Sequence, residues 1–161
     1  MRRILHVDDE PNILKVFSAT LEDEPDLQIT SVNSPGEAVT ALRTERFDLI
    51  VSDVRFNGGP SGLEFLKKLR ESGDWTPACV FTGMEQASFD LELKALGNFN
   101  CLTYLRKPLC GGKLRERIID LLHVVSPKTR ETVTGIEDAA SRVQSAIAKG
   151  EAALEENGIA L

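Results

Sequence analysis

The chain has 161 residues, of which 42% are hydrophobic and 27% charged, enough for one domain with a real core plus an appendage. Its net charge is −6 and no dense Lys/Arg run interrupts the acidic balance, so a surface for direct nucleic-acid contact is not expected. No stretch approaches the ~18–20 apolar residues of a membrane span, so membrane contact is not expected either.

Ile4-Leu5-His6-Val7 is a short apolar run that ends in acids, the pattern of a buried strand. His6 within it reads as a core residue. Pro11 opens a helix whose Ile13, Leu14, Val16, Phe17 and Leu21 keep helical spacing. Leu27 to Val32 predicts a second strand. Ser34-Pro35-Gly36-Glu37 combines a capping serine, a proline at the first helical position and a glutamate behind it, and so starts a second helix. Phe47 to Ser52 predicts a third strand ending at Asp53. The run Asn57-Gly58-Gly59-Pro60-Ser61-Gly62 is a loop by composition. Leu63, Phe65, Leu66 and Leu69 predict a third helix.

Pro77 to Phe81 predicts a fourth strand running into Thr82-Gly83. Ala87 to Leu96 predicts a helix stopped by Gly97. Leu102 to Leu105 predicts a fifth strand, followed by Arg106-Lys107-Pro108, and Lys113 to Leu122 predicts the fifth helix. Strands apolar on both faces, alternating with helices, argue a parallel sheet covered on both sides. Ser126-Pro127-Lys128 breaks the pattern as a linker. Ile136, Ala140, Val143, Ile147 and Leu154 then fall near helical spacing. The expected organisation is one α/β domain over 1–125 and a linker with a helical C-terminal extension over 126–161.

Arg2 to Val7 is broken at His6 and ended by Asp8-Asp9-Glu10, well short of the roughly 7–15 apolar residues of a secretory signal. Cys79, Cys101 and Cys110 are odd in number and lack C-x-x-C spacing. They read as reduced thiols of a cytoplasmic protein, and with only two histidines a zinc site is not expected. Trp75 lies in a loop and is assigned no function.

In an open parallel sheet, ligands bind beyond the carboxyl ends of the strands. The first strand brings Asp8 and Asp9 there, the third Asp53, the fourth Thr82 and the fifth Lys107. Two carboxylates about 4 Å apart repel by roughly 4 kcal/mol at an effective dielectric of 20. A divalent cation relieves that repulsion, and an all-oxygen set with few carboxylates suits Mg²⁺, with Mn²⁺ as a substitute. An amine and a hydroxyl beside the metal are suited to stabilising a phosphoryl group in transfer, and a carboxylate can accept it as an acyl phosphate.

With Asp8-Asp9 after an apolar strand, Asp53 ending the third, Thr82-Gly83 and Lys107-Pro108, the chain resembles the response regulator receiver family over about residues 2–124. The resemblance implies a doubly wound, flavodoxin-like (βα)5 fold with strand order 2-1-3-4-5. It implies that Asp53 is the phosphoacceptor, that Asp9 binds Mg²⁺ directly, and that Asp8 acts through a metal-bound water. The backbone carbonyl of Arg55 would be a further ligand. Lys107 would pair with the phosphoryl oxygens, Thr82 would hydrogen-bond them, and Tyr104 would be the switch aromatic behind Thr82. The Lys107-Pro108 bond would be cis.

The implied donor is a phosphohistidine on a histidine kinase or a histidine phosphotransfer protein. The implied output is a protein partner at the face of the fourth helix, fifth strand and fifth helix. The chain would be no enzyme beyond its Mg²⁺-dependent self-phosphorylation and autodephosphorylation. A second copy of the chain is a further candidate partner, through the extension.

The chain departs from the family in the loop after Asp53. Many members carry proline four or five positions after the acceptor and glycine eight after; here Pro60 is seven after and Gly62 nine after. Arg55, two past the acceptor, and Met84, two past Thr82, flank the route of attacking water and are expected to alter the phosphoryl lifetime.

Three other functions fit the sequence less well. A pseudo-receiver that docks proteins without phosphorylation is argued against by the complete set of Asp8, Asp9, Asp53, Thr82 and Lys107. A haloacid-dehalogenase-type phosphatase wants a second acid two past the nucleophile, where Arg55 stands. A flavodoxin-like cofactor binder wants a phosphate-binding loop where Asp8-Asp9-Glu10 would repel the phosphate.

Overall fold

The computed structural model describes residues 1–97, 103–109 and 111–125. Ten elements alternate along the chain: β1 (Arg2–Val7), α1 (Pro11–Leu21), β2 (Leu27–Val32), α2 (Pro35–Thr44), β3 (Leu49–Ser52), α3 (Gly62–Glu71), β4 (Ala78–Thr82), α4 (Gln86–Ala95), β5 (Thr103–Arg106) and α5 (Gly111–Val124). All strand pairings are parallel, and the order across the sheet is β2-β1-β3-β4-β5. This is the doubly wound flavodoxin-like arrangement expected from the sequence. The linker and helical extension expected over 126–161 lie outside the described residues, as do Cys101 and Cys110.

The middle of the sheet is apolar because both its faces are covered. Every residue of β3 and β4 is buried, as are the last four of β1. One core cluster joins Leu5, Val7, Ile50 and Val80 of the sheet to Ala38 of α2, Leu63, Phe65 and Leu66 of α3 and Phe89 of α4. Phe17, Leu21, Leu114, Ile118 and Leu122 of α1 and α5 are buried as well. Burying side chains of this size contributes about 1.5–3 kcal/mol each, against the ordering entropy of the chain.

Helix starts follow local chemistry. Pro11 and Pro35 take first-turn positions, where a missing N–H costs nothing. Ser34 Oγ accepts from the Glu37 amide at 3.3 Å. At α3, Ser61 Oγ accepts from the Glu64 amide (3.2 Å) while Glu64 Oε2 accepts from the Ser61 amide (2.7 Å), a reciprocal capping box. The sequence reading placed Ser61 in an undivided loop and missed it, although Ser-x-x-Glu before an apolar run was there to be read.

Candidate functional site

β1 lies between β2 and β3, so the chain leaves it in opposite directions and a crevice opens at its carboxyl end. Backbone ladders run one step past the strand ends into that crevice. The Asp8 amide donates to Val32 O (3.1 Å), the Asp53 amide to Val7 O (2.9 Å) and the Lys107 amide to Thr82 O (2.8 Å). Three chemically active residues are thus held by the sheet itself.

Their side chains meet. Lys107 Nζ donates to Asp8 Oδ2 at 2.6 Å and to Asp53 Oδ2 at 2.7 Å. Asp53 Oδ1 accepts from the amides of Val54 (2.5 Å) and Arg55 (3.4 Å). Asp8 Oδ1 accepts from the Glu10 amide at 2.9 Å. Asp8 is fully buried and Asp53 nearly so. Burial raises the Asp8 carboxyl above its ordinary value, and the opposing hydrogen bonds from Lys107 and the Glu10 amide do not cancel that rise. For Lys107, burial alone would lower the amine. Its bonds to Asp53 and Asp8 outweigh burial, so it is held above its ordinary value as a firm cation.

The acidic group that could grip a cation is Asp8, Glu10 and Asp53, whose carboxylate oxygens lie within 4.8 Å of one another. Three carboxylates face a single amine, and hard oxygen donors with excess negative charge fit a divalent cation such as Mg²⁺. Glu10 was not singled out in the sequence; its place at the mouth of the cluster depends on the turn after β1. Asp9 stands apart from this group. Its Oδ2 accepts from the amide (2.8 Å) and the side-chain Nδ2 (2.7 Å) of Asn57, tying the first loop to the loop after β3.

Thr82 is buried at the end of β4, and its hydroxyl accepts from the Met84 amide at 3.3 Å. Tyr104 donates its hydroxyl to Met84 O and packs on Phe89 with ring centroids 5.0 Å apart. Thr82, Met84 and Tyr104 therefore form one connected group beside the cluster. The Lys107-Pro108 bond is cis. The Arg55 guanidinium pairs with Glu92 of α4.

Two features escaped the sequence. Gly62, read only as loop, opens α3 directly against Asp53: a Cβ there would sit 1.7 Å from Asp53 O. The Gly62 amide donates to Val54 O at 2.9 Å, which holds that approach. The second is His6. It is fully buried against Phe17, with ring centroids 3.9 Å apart, and neither ring nitrogen has a hydrogen-bond partner. Burial, and then the charge of Lys107, lower its pKa to about 3.

A doubly wound sheet with buried acids and a lysine at its switch point defines a class of α/β folds with a charged site in the crevice. The comparisons place the chain within it. The response regulator receiver domain profile matches residues 4–119. Response regulator protein PilR of Pseudomonas aeruginosa is 33% identical over 132 residues, 81% of this chain and 28% of that protein. The alginate biosynthesis transcriptional regulatory protein AlgB of Pseudomonas putida is 34% identical over 113 residues, 70% of this chain and 24% of that one.

Among solved structures, chemotaxis response regulator CheY4 of Vibrio cholerae aligns with TM-score 0.64 and 28% identity, over 75% of this chain and 98% of that one. Response regulator protein TrrA of Thermotoga maritima, in complex with Mg(2+)-BeF, aligns with TM-score 0.62 and 28% identity, over 75% of this chain and 99% of that one. The chain belongs to the response regulator receiver family of two-component systems. It spans about a quarter of the length of the two regulators named above. Among the described residues, no helix is long and apolar enough to cross a membrane.

Proposed function

We propose that Asp53 accepts a phosphoryl group from a phosphohistidine, with Mg²⁺ bound among the acids, and that the change is relayed through Thr82 and Tyr104 to a protein-binding face. The observation that carries this reading is the double contact of Lys107 to Asp8 and Asp53 at 2.6 and 2.7 Å. It holds a permanent cation beside a nearly buried carboxylate at the switch point, where an incoming phosphoryl oxygen would need one.

Asp8, Asp9, Asp53 and the carbonyl of Arg55 would hold the metal, with Glu10 adding charge at the rim. Asp9 would leave Asn57 to take this part. Bound there, Mg²⁺ supplies charge neutralisation for the transferring oxygens. The Asp53 carboxylate attacks phosphorus, an O–P bond forms as the N–P bond of the phosphohistidine breaks, and the imidazole nitrogen released takes up a proton. Lys107 pairs with the added oxygens. The Thr82 hydroxyl exchanges its contact with the Met84 amide for a phosphoryl oxygen. Tyr104, bonded to the same Met84, follows, and the surface of α4, β5 and α5 shifts between two populations. Water later hydrolyses the acyl phosphate.

The donor is read as a histidine kinase or phosphotransfer protein and the output as a protein partner. AlgB, named as a transcriptional regulatory protein, is matched over only 24% of its length, so its output is its own.

Mass spectrometry after incubation with acetyl phosphate tests the chemistry. One phosphoryl adduct is expected with Mg²⁺, lost with EDTA and absent from Asp53→Asn. No adduct from acetyl phosphate or from a phosphorylated histidine phosphotransfer protein, together with no Mg²⁺ binding by titration, would leave a docking module instead.

A further inference from the structure

On the side of the sheet carrying α2 and α3, the two helices leave an open groove of about 580 Å³ between them. Val39 and Leu42 of α2 and Phe65 and Leu69 of α3 make it apolar. Pro35 and Pro60 line it as well. Arg43, in the last turn of α2, and Lys68, in the last turn of α3, stand at its rim. Both are exposed, and among the described residues neither forms an ion pair. Among the described residues the one acid lining the groove is Asp74, whose Oδ1 accepts from the Thr76 amide at 2.8 Å.

Basic residues at helix ends ordinarily do no more than complement the helix dipole. Here two of them flank an apolar trough in a chain of net charge −6, where the average surface repels acids. Each wall is a ten-residue helix, so the trough is about 15 Å long. It is open to solvent along its length rather than enclosed around a small molecule. These are the dimensions that receive the apolar stripe of an amphipathic helix.

We propose that the α2–α3 groove is a second docking surface, for an acidic amphipathic helix of a protein partner. Apolar side chains at i, i+3, i+4 and i+7 of that helix lie along the half-buried Val39 and Leu42, over a floor to which the buried Phe65 and Leu69 belong. Its carboxylates pair with Arg43 and Lys68. The site is separate from the α4–β5–α5 face. Pro60 belongs to the loop that joins Asp53 to α3, so an occupant touches the segment that carries Asn57 and Arg55.

The probe is a synthetic peptide about four helical turns long, with Leu on one stripe and Glu elsewhere, titrated into the full chain with methyl NMR detection. A second peptide replaces every Glu by Lys. Shifts of the Val39, Leu42 and Leu69 methyls with the acidic peptide alone are expected. Arg43→Glu and Lys68→Glu should each weaken its binding about tenfold, with the remaining methyl spectrum unchanged as proof of folding. The proposal is overturned by shifts on another face, by equal binding of the basic peptide, or by no shift at millimolar peptide. Groove shifts with sodium decanoate but not with the acidic peptide would also overturn it, marking a small-amphiphile site.

Discussion

Asp8 and His6 are both fully buried polar residues of the first strand and its end, two positions apart, and their circumstances are opposite. Asp8 has a cation at 2.6 Å and a backbone amide at 2.9 Å. His6 has a stacked phenylalanine and no hydrogen bond at either nitrogen. A buried charge persists only where partners offset its lost hydration, so partners converging from distant parts of the chain mark a site with chemistry. A buried imidazole without partners is held by packing, and stays neutral at a cost. The depth of burial is the same; what differs is what the fold has brought to meet the side chain.

The comparison predicts first that the site end of the sheet tolerates no intrusion. Gly62→Ala would drive a methyl group into the Asp53 carbonyl, a backbone atom that cannot rotate away. The expected loss is roughly 4 kcal/mol, above most overpacking because the backbone itself must move. Urea denaturation reads the loss directly, and a variant within ~1 kcal/mol of wild type would mean that α3 does not start against Asp53.

Next comes the shared cation. Lys107→Met leaves Asp8 and Asp53 buried without their counter-ion, and about 3 kcal/mol of stability should go with it near neutral pH. Without the amine Asp8, already raised by burial, loses the contact that opposes that rise and moves further toward protonation, and a protonated acid needs no counter-ion. The deficit relative to wild type should therefore shrink as pH falls, and urea midpoints near neutrality and under mild acid compare the two. A deficit that is the same in both conditions would show that Lys107 contributes through its packing alone.

The strands and the residues at their ends could be read from sequence because both rest on local pattern: apolar runs of strand length, ended by Asp53, Thr82 and Lys107. Parallel topology then fixes that those ends share one edge. The turns were harder. Asp8, Asp9 and Glu10 are adjacent acids of similar character, and which of them faces Asp53 depends on the backbone after β1. In the structure Glu10 joins Asp8 and Asp53 while Asp9 reaches Asn57. Nothing in a chain of three acids distinguishes them without the positions of both loops. Gly62 was equally silent, since the need for glycine there comes from a carbonyl nine residues away that only the fold brings under it. His6 read correctly as core, but that its nitrogens would lack partners depends on what β1 and α1 place around it.

The smallest expected effect tests the other half of the comparison. If His6 is only packing, His6→Leu should leave the fold intact and add about 1 kcal/mol near neutral pH, by removing two unsatisfied polar atoms at similar volume. The gain should grow in acid. With a folded pKa of about 3 against an ordinary 6.5, the unfolded chain takes up a proton that the folded chain refuses. Stability contributed by the neutral ring is present above pH 6.5 and is lost as pH falls toward 3, at no more than about 1.4 kcal/mol per pH unit. The variant has no such group, so the two stability curves should diverge below neutrality, with the histidine protein falling faster. Parallel curves would mean that the protonated imidazole finds a hydrogen-bond acceptor in the folded chain, and Asp8 and His6 would then belong to one polar network rather than to two opposite cases.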